Sequence, residues 1–171
     1  LLTQEPGGTD LGEHVGDWLK RYPERSDVTE LLLFCAARSE HVSQIIMPAI
    51  RQGRFVICDR YISSTLAYQG YGRGMDLEII REANKQATFG LVPSLTILLD
   101  VPAGTAETRK GTDNLDIFET ERLSFRQRVR DGYLALAANA PEEWLVVDGT
   151  LSEDTVSSTI WEEVHRRIDM P

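Results

Sequence analysis

The chain has 171 residues, 42% of them hydrophobic, and a formal net charge of -9, which fits one compact domain with a sizeable core. That acidic balance excludes a general nucleic-acid binder, because such proteins neutralise many phosphates with Lys and Arg, whereas a single nucleotide needs only a few local arginines. The longest apolar stretches, at 31–37 and 95–99, fall far short of the ~20 residues that span a bilayer, so no membrane partner is expected.

Leu1-Leu2-Thr3-Gln4-Glu5 carries neither the basic segment nor the long apolar one of a secretory signal, and no initiator Met. The next segment, Pro6-Gly7-Gly8-Thr9, reads as a tight turn into a helix capped by Thr9, with Leu11, Val15, Trp18 or Leu19 and Tyr22 at helical spacing before Pro23. A second long helix is expected from about 28 to 52, its broad apolar face formed by Leu31, Phe34, Cys35, Val42, Ile45, Ile46, Ala49 and Ile50 and its end marked by Gly53. Residues 54–58, 94–99 and 144–147 read as buried strands that end at Asp59, Asp100 and Asp148. Helical patterns cover about 76–88, 103–110, 118–139 and 153–168.

Strands alternating with helices imply parallel βαβ units, with helices on both faces of a sheet. In such sheets ligands lie beyond the carboxyl ends of the strands, where the three aspartates fall. Cys35 and Cys58 sit in apolar runs without His or Cys at metal spacing, so buried reduced thiols in a reducing cytoplasm are expected. His14, His41 and His165 are scattered and read as surface histidines. Arg122, Arg126, Arg128 and Arg130 read as the solvated face of the helix at 118–139, which packs through Phe125, Val129, Tyr133, Leu134 and Leu136.

The chemistry concentrates in Asp59-Arg60-Tyr61-Ile62-Ser63-Ser64-Thr65-Leu66-Ala67-Tyr68-Gln69-Gly70-Tyr71-Gly72-Arg73. A carboxylate beside a guanidinium at a strand end suits Mg²⁺ or its waters together with a phosphate gripped by a planar fork, and Ser, Tyr and Gln follow at helical spacing. Upstream, Phe34 and Arg38 lie four residues apart and share a helix face. An arginine on a buried face demands an acceptor.

These segments resemble the signature of the thymidylate kinase family, an Asp-Arg-Tyr/His run leading into Ser and Ala-Tyr-Gln-Gly. Thr3-Gln4-Glu5-Pro6-Gly7-Gly8-Thr9 is similar to its Arg-Glu-Pro-Gly-Gly-Thr loop, with Gln4 in place of Arg, and 93–101 is similar to its Pro-Asp-Leu-Thr strand, with Ser94 in place of Asp. Residues 108–119 occupy the place of the family's lid, where Ile117 follows Asp116 instead of the usual Arg. The resemblance implies a P-loop NTPase-type, three-layer α/β fold with a parallel sheet, and a single nucleoside-monophosphate-kinase-like domain. It implies transfer of the γ-phosphate of ATP to dTMP, giving dTDP and ADP, with ATP and Mg²⁺ bound. A cytoplasmic homodimer is implied too, joined through the helices carrying Phe34 and Trp18.

By the same resemblance Arg60 holds phosphate, and Asp59 and Glu5 place the magnesium. Phe34 stacks on thymine, Arg38 reaches its O4, and Ser64, Tyr68 and Gln69 line the deoxyribose and base pocket. Arg109 or Lys110 supplies the lid cation, and Asp148, Gly149 and Thr150 offer backbone contact to adenine. A kinase for another nucleoside or nucleotide is the rival reading within enzymes, and the Ala67-Tyr68-Gln69-Gly70 run disfavours it. The rival outside enzymes is a non-catalytic nucleotide-binding subunit. The 171 residues contain no Gly-x-x-x-x-Gly-Lys-Ser/Thr run, so an amino-terminally truncated chain is expected, without its first strand and P-loop and inactive alone.

Overall fold

Thr9 opens the first helix as its position in the sequence requires. Its backbone is extended and its hydroxyl accepts the Gly12 N–H at 3.0 Å, satisfying one of the donors that a helix start leaves without a partner. Helix α1 (Asp10–Arg21) then buries Val15 and Leu19. In the computed structural model, which describes residues 1–104 and 117–168, α1 is preceded by a short strand, β1 (Leu2–Gln4). Three residues are too few to show a period in the sequence.

Helix α2 (Asp27–His41) starts at a Ser26 cap and continues through a π-helical turn (Val42–Ile46) into α3 (Met47–Arg51). Together they fill the single helix expected at 28–52. The Met47 N–H reaches back five residues to the Val42 carbonyl. This wider turn lies just before Pro48, which has no N–H to donate and whose ring crowds the carbonyl of an ordinary preceding turn.

Strand β2 (Ile57–Asp59) pairs in parallel with β1, Leu2 lying opposite Ile57 and Gln4 opposite Asp59. The expectation of a buried strand at 54–58 is corrected on both counts. Pairing begins only at Ile57, and Phe55 and Ile57 are 71% and 68% exposed; among the described residues β1 is the only strand paired with β2. After β2 come α4 (Ile62–Thr65), a second π-helical turn (Leu66–Gly72) and α5 (Leu77–Thr88), which Asp76 caps by accepting the Glu78 N–H at 2.7 Å. Two apolar clusters hold these helices together. Leu31 and Cys35 of α2 meet Ile80 and Ala87 of α5, and Val15 and Leu19 of α1 meet Ala37, with Phe34 packed alongside.

The chain divides into two compact units, Leu1–Val92 and Pro93–Pro171. The second holds β3 (Thr96–Asp100), α6 (Ile117–Asn139), β4 (Trp144–Asp148) and α7 (Glu153–Ile168). β3 and β4 are parallel, with Thr96 opposite Trp144 and Asp100 opposite Asp148. The helix expected at 103–110 falls almost entirely outside the described residues, as do Arg109 and Lys110. Among the described residues no helix is long and apolar enough to cross a membrane.

Arg130 corrects the reading of a purely solvated arginine face. Its Nε and Nη2 donate to the two carboxylate oxygens of Asp100 at 2.6 and 2.8 Å, a bidentate clamp from α6 onto the end of β3. The hydrogen bond from Arg130 holds the Asp100 carboxyl below its ordinary pKa, against the opposing effect of burial. A depressed folded-state pKa contributes stability that is present above the unfolded value of about 3.9 and is lost as pH falls through the folded one. Arg130→Met is therefore expected to lower the urea midpoint at pH 7, with the gap to the parent closing below about pH 3.9. A gap of constant size across that range would show that the clamp carries no linked proton.

Gly12 marks a second point of strict constraint. A Cβ there would stand 1.9 Å from the Pro6 carbonyl oxygen, and backbone on both sides of the contact leaves no side chain free to yield. Gly12→Ala should destabilise the protein by about 3 kcal/mol or more, the cost of forced overpacking, measured as the loss in chemical unfolding free energy.

Candidate active site

Glu5 follows β1, and Arg38 lies near the end of α2 on the face that α2 turns toward α5. Both are buried, Arg38 with 1% of its surface exposed. Arg38 Nε donates to Glu5 Oε2 at 2.8 Å, and Nη2 forms an ion pair with the same oxygen at 2.7 Å. Nη1 donates to Asn84 Oδ1 at 2.6 Å and to Thr65 Oγ1 at 3.3 Å, and Nη2 also donates to the Tyr61 carbonyl at 3.1 Å. Each of the three guanidinium nitrogens has at least one protein acceptor. The acceptor demanded by a buried arginine is thus met from within the chain. Arg38, expected to reach thymine O4, acts in this structure as a junction of four chain segments.

The turn after β2 carries the exposed pair Asp59 and Arg60. Arg60 adopts φ 67°, a left-handed conformation uncommon outside glycine. Three consecutive carbonyls hold it there. Asp59 O accepts from the Glu5 N–H at 3.0 Å, Arg60 O from the Cys58 thiol at 3.1 Å, and Tyr61 O from Arg38. Burial, with the Glu5 charge adding to it, pushes the Cys58 thiol up to about 12, so the thiol keeps its proton and remains a donor at neutral pH. The Arg60 guanidinium lies over the Tyr68 ring, 5.3 Å from its centroid. Neither it nor the Asp59 carboxylate has an ion-pair partner among the described residues. Burial likewise raises the Tyr61 phenol well above its ordinary range, and its hydroxyl donates to the Leu91 carbonyl at 3.2 Å.

The remaining expected residues separate. Ser64 and Tyr68 are half-buried beside this turn. Gln69, expected in the base pocket, is buried and donates to Glu30 Oε1 at 2.7 Å. Arg73 Nε donates to the same oxygen at 3.0 Å, and Arg25 also pairs with Glu30. Phe34 is half-buried against the α1 cluster. In the second unit Asp148 accepts the Thr150 N–H at 2.9 Å and its hydroxyl at 2.6 Å, while the Gly149 N–H is taken by the Asp100 carbonyl at 2.8 Å.

Sequence reasoning missed Glu30, His41, Thr65 and Asn84. His41 corrects the expectation of surface histidines. It is fully buried, its Nδ1 3.4 Å from Glu5 Oε1 and its Nε2 2.6 Å from Thr3 Oγ1. Gly8 is pressed onto that pair, since a Cβ at its φ of +85° would stand 2.9 Å from both His41 Nε2 and Thr3 Oγ1. A signal was present. Glu30, Phe34, Arg38 and His41 recur at the three- and four-residue steps of one helix face, and so do Ile80, Asn84 and Thr88.

Parallel strands joined through helices, with an exposed carboxylate and guanidinium at the carboxyl end of β2, give the arrangement in which α/β proteins bind ligands. The sequence model of the thymidylate kinase family matches residues 1–160. A thymidylate kinase of Thermomicrobium roseum is 48% identical over 166 residues, covering 96% of this chain and 79% of that protein. One from a Nostoc species is 46% identical, covering 95% and 79%. The crystal structure of thymidylate kinase from Ehrlichia chaffeensis superposes with a TM-score of 0.80 at 32% identity, over 96% of this chain and 80% of that one. The chain belongs to the thymidylate kinase family.

Removing one partner of a buried, hydrogen-bonded ion pair costs about 3–5 kcal/mol, because the other charge is left uncompensated. Arg38→Met is expected to lose that much unfolding free energy. Stability within ~0.5 kcal/mol of the parent would instead place Arg38 among side chains that wait for a ligand.

Proposed function

We propose how the residues of this chain divide the work of a thymidylate kinase, whose reaction passes the γ-phosphate of ATP to dTMP. Such transfer needs positioning and charge neutralisation more than covalent chemistry from the protein. The observation that carries the reading is Arg60. It is held in a left-handed turn by donors to three successive carbonyls, while its guanidinium projects without an ion-pair partner among the described residues. A planar fork prepared in this way grips phosphate oxygens in two parallel hydrogen bonds.

Asp59 fits Mg²⁺, since it offers an exposed carboxylate beside Arg60 to a cation that keeps several waters. When bound, the metal neutralises charge on the phosphates. Glu5 does not fit that role. One of its oxygens is paired with Arg38 and the other faces His41, so it does not offer the oxygen-only surroundings a hard cation takes. Phe34 is placed as the platform for the thymine ring, and Arg38 as the residue that fixes the pocket wall through Glu5, Tyr61 and Asn84. Ser64 and Tyr68 border the sugar.

Adenine is assigned to the turn after β4. The N–H groups of Gly149 and Thr150 are already engaged, so contact to its exocyclic amine falls to carbonyl oxygens. A neighbouring apolar cavity of about 410 Å³, lined by Leu99, Gly149, Leu151, Val156, Ile160 and Trp161, has room for a planar ring.

Calorimetric titration of dTMP and of thymidine separates the two halves of the acceptor site. Arg60→Ala should weaken dTMP about tenfold or more, roughly 1.4 kcal/mol, and leave thymidine unchanged. Phe34→Ala should weaken both by similar factors, stacking being worth about 1–3 kcal/mol per base. Equal loss of dTMP and thymidine in Arg60→Ala would remove Arg60 from the phosphate.

A further inference from the structure

Glu5, His41 and Cys58 come from three segments, the loop after β1, the last residue of α2 and the middle of β2. One ligand atom from each lies within 4.8 Å of the other two. Two of the three are buried and Cys58 is half-buried, so the cluster has one side open to entry. Glu5 divides its oxygens, giving Oε2 to Arg38 and turning Oε1 toward His41 Nδ1 at 3.4 Å. The other imidazole nitrogen, Nε2, meets Thr3 Oγ1 at 2.6 Å. Metal-bound imidazoles are held in this way, with the second ring N–H given to an oxygen that fixes the tautomer and the ring plane. A bound cation takes the imidazole in its Nε2–H tautomer, donating to Thr3, with the Nδ1 lone pair and Glu5 Oε1 both turned toward the metal.

A thiolate, an imidazole and one carboxylate oxygen form a borderline-soft donor set, suited to zinc and poorly suited to the oxygen-loving Mg²⁺. We propose that Glu5, His41 and Cys58 form a binding site for a borderline-soft divalent cation of the zinc class, with its fourth position open to water. Binding forms a metal–thiolate bond and releases the Cys58 proton to solvent, and no electron is transferred. The adjacent Arg38 charge opposes the incoming cation, which keeps the affinity below that of structural zinc sites. The cation also removes the S–H donor from the Arg60 carbonyl, so its occupancy is felt at the turn that carries Arg60.

The test is titration of Zn²⁺ into the full chain, followed by calorimetry in millimolar Mg²⁺ with a phosphine reductant. One saturable equivalent is expected. Co²⁺ in its place should give a thiolate-to-cobalt charge-transfer band in the near ultraviolet. Cys58→Ser should abolish the band and weaken Zn²⁺ about tenfold or more, whereas Cys35→Ala, which removes the other thiol, should leave both unchanged. His41→Gln, with its fold checked by circular dichroism, should weaken Zn²⁺ by a similar factor. Lack of a saturable equivalent, or a cobalt band that survives Cys58→Ser, overturns the proposal.

Discussion

A charge removed from water destabilises the folded chain by several kcal/mol unless its partners are close and its remaining donors are satisfied. The Arg38–Glu5 pair meets that condition, and the first unit is arranged around it. Arg38 requires acceptors from the loop after β1, the turn after β2, α4 and α5, and it finds one in each. Moving any of these segments would strand a buried donor, so they are bound to one relative arrangement. An apolar replacement could match the pair in stability, but it would not specify which four segments meet.

The fixed arrangement extends to the turn after β2. A non-glycine residue in the left-handed region carries about 1–3 kcal/mol of strain and persists only where its surroundings over-determine it. Arg60 is over-determined by the backbone of Glu5, the thiol of Cys58 and the side chain of Arg38, each holding one carbonyl of the turn. The same residues that satisfy the buried charge therefore hold the backbone of the Arg60 turn in its left-handed conformation.

A second buried carboxylate, Glu30, organises the other end of α2 by collecting Gln69, Arg73 and Arg25. It ties the start of α2 to the π-helical turn that ends at Gly72. The widened turn has a packing reason as well. A Cβ on Gly70 would lie 2.4 Å from Leu77 Cδ2, so the turn lies directly against the first residues of α5, with only a hydrogen atom between. In the second unit the strand ends carry structural bonds, Asp100 with Arg130 and one oxygen of Asp148 with Thr150.

Local features of the chain were legible in order. The Thr9 cap, the limits of α1, α5, α6 and α7, and the strands ending at Asp59, Asp100 and Asp148 follow from capping groups, apolar period and β-branched runs, all of which act over a few residues. So did the Asp-Arg pair at the end of β2, because strand ends place such residues where ligands bind. The sequence also put Phe34 and Arg38 on one helix face, since helical spacing alone decides that, whereas His41 was read as a surface residue. What Arg38 and His41 face was set only in the folded chain. Their partners Glu5, Thr65, Asn84 and Thr3 lie dozens of residues away, and no period in the sequence encodes which distant acceptor a buried donor will meet. The exposure of Phe55 and Ile57 was likewise a tertiary outcome, because an apolar β-branched run reports a preference for burial and not whether another element packs against it.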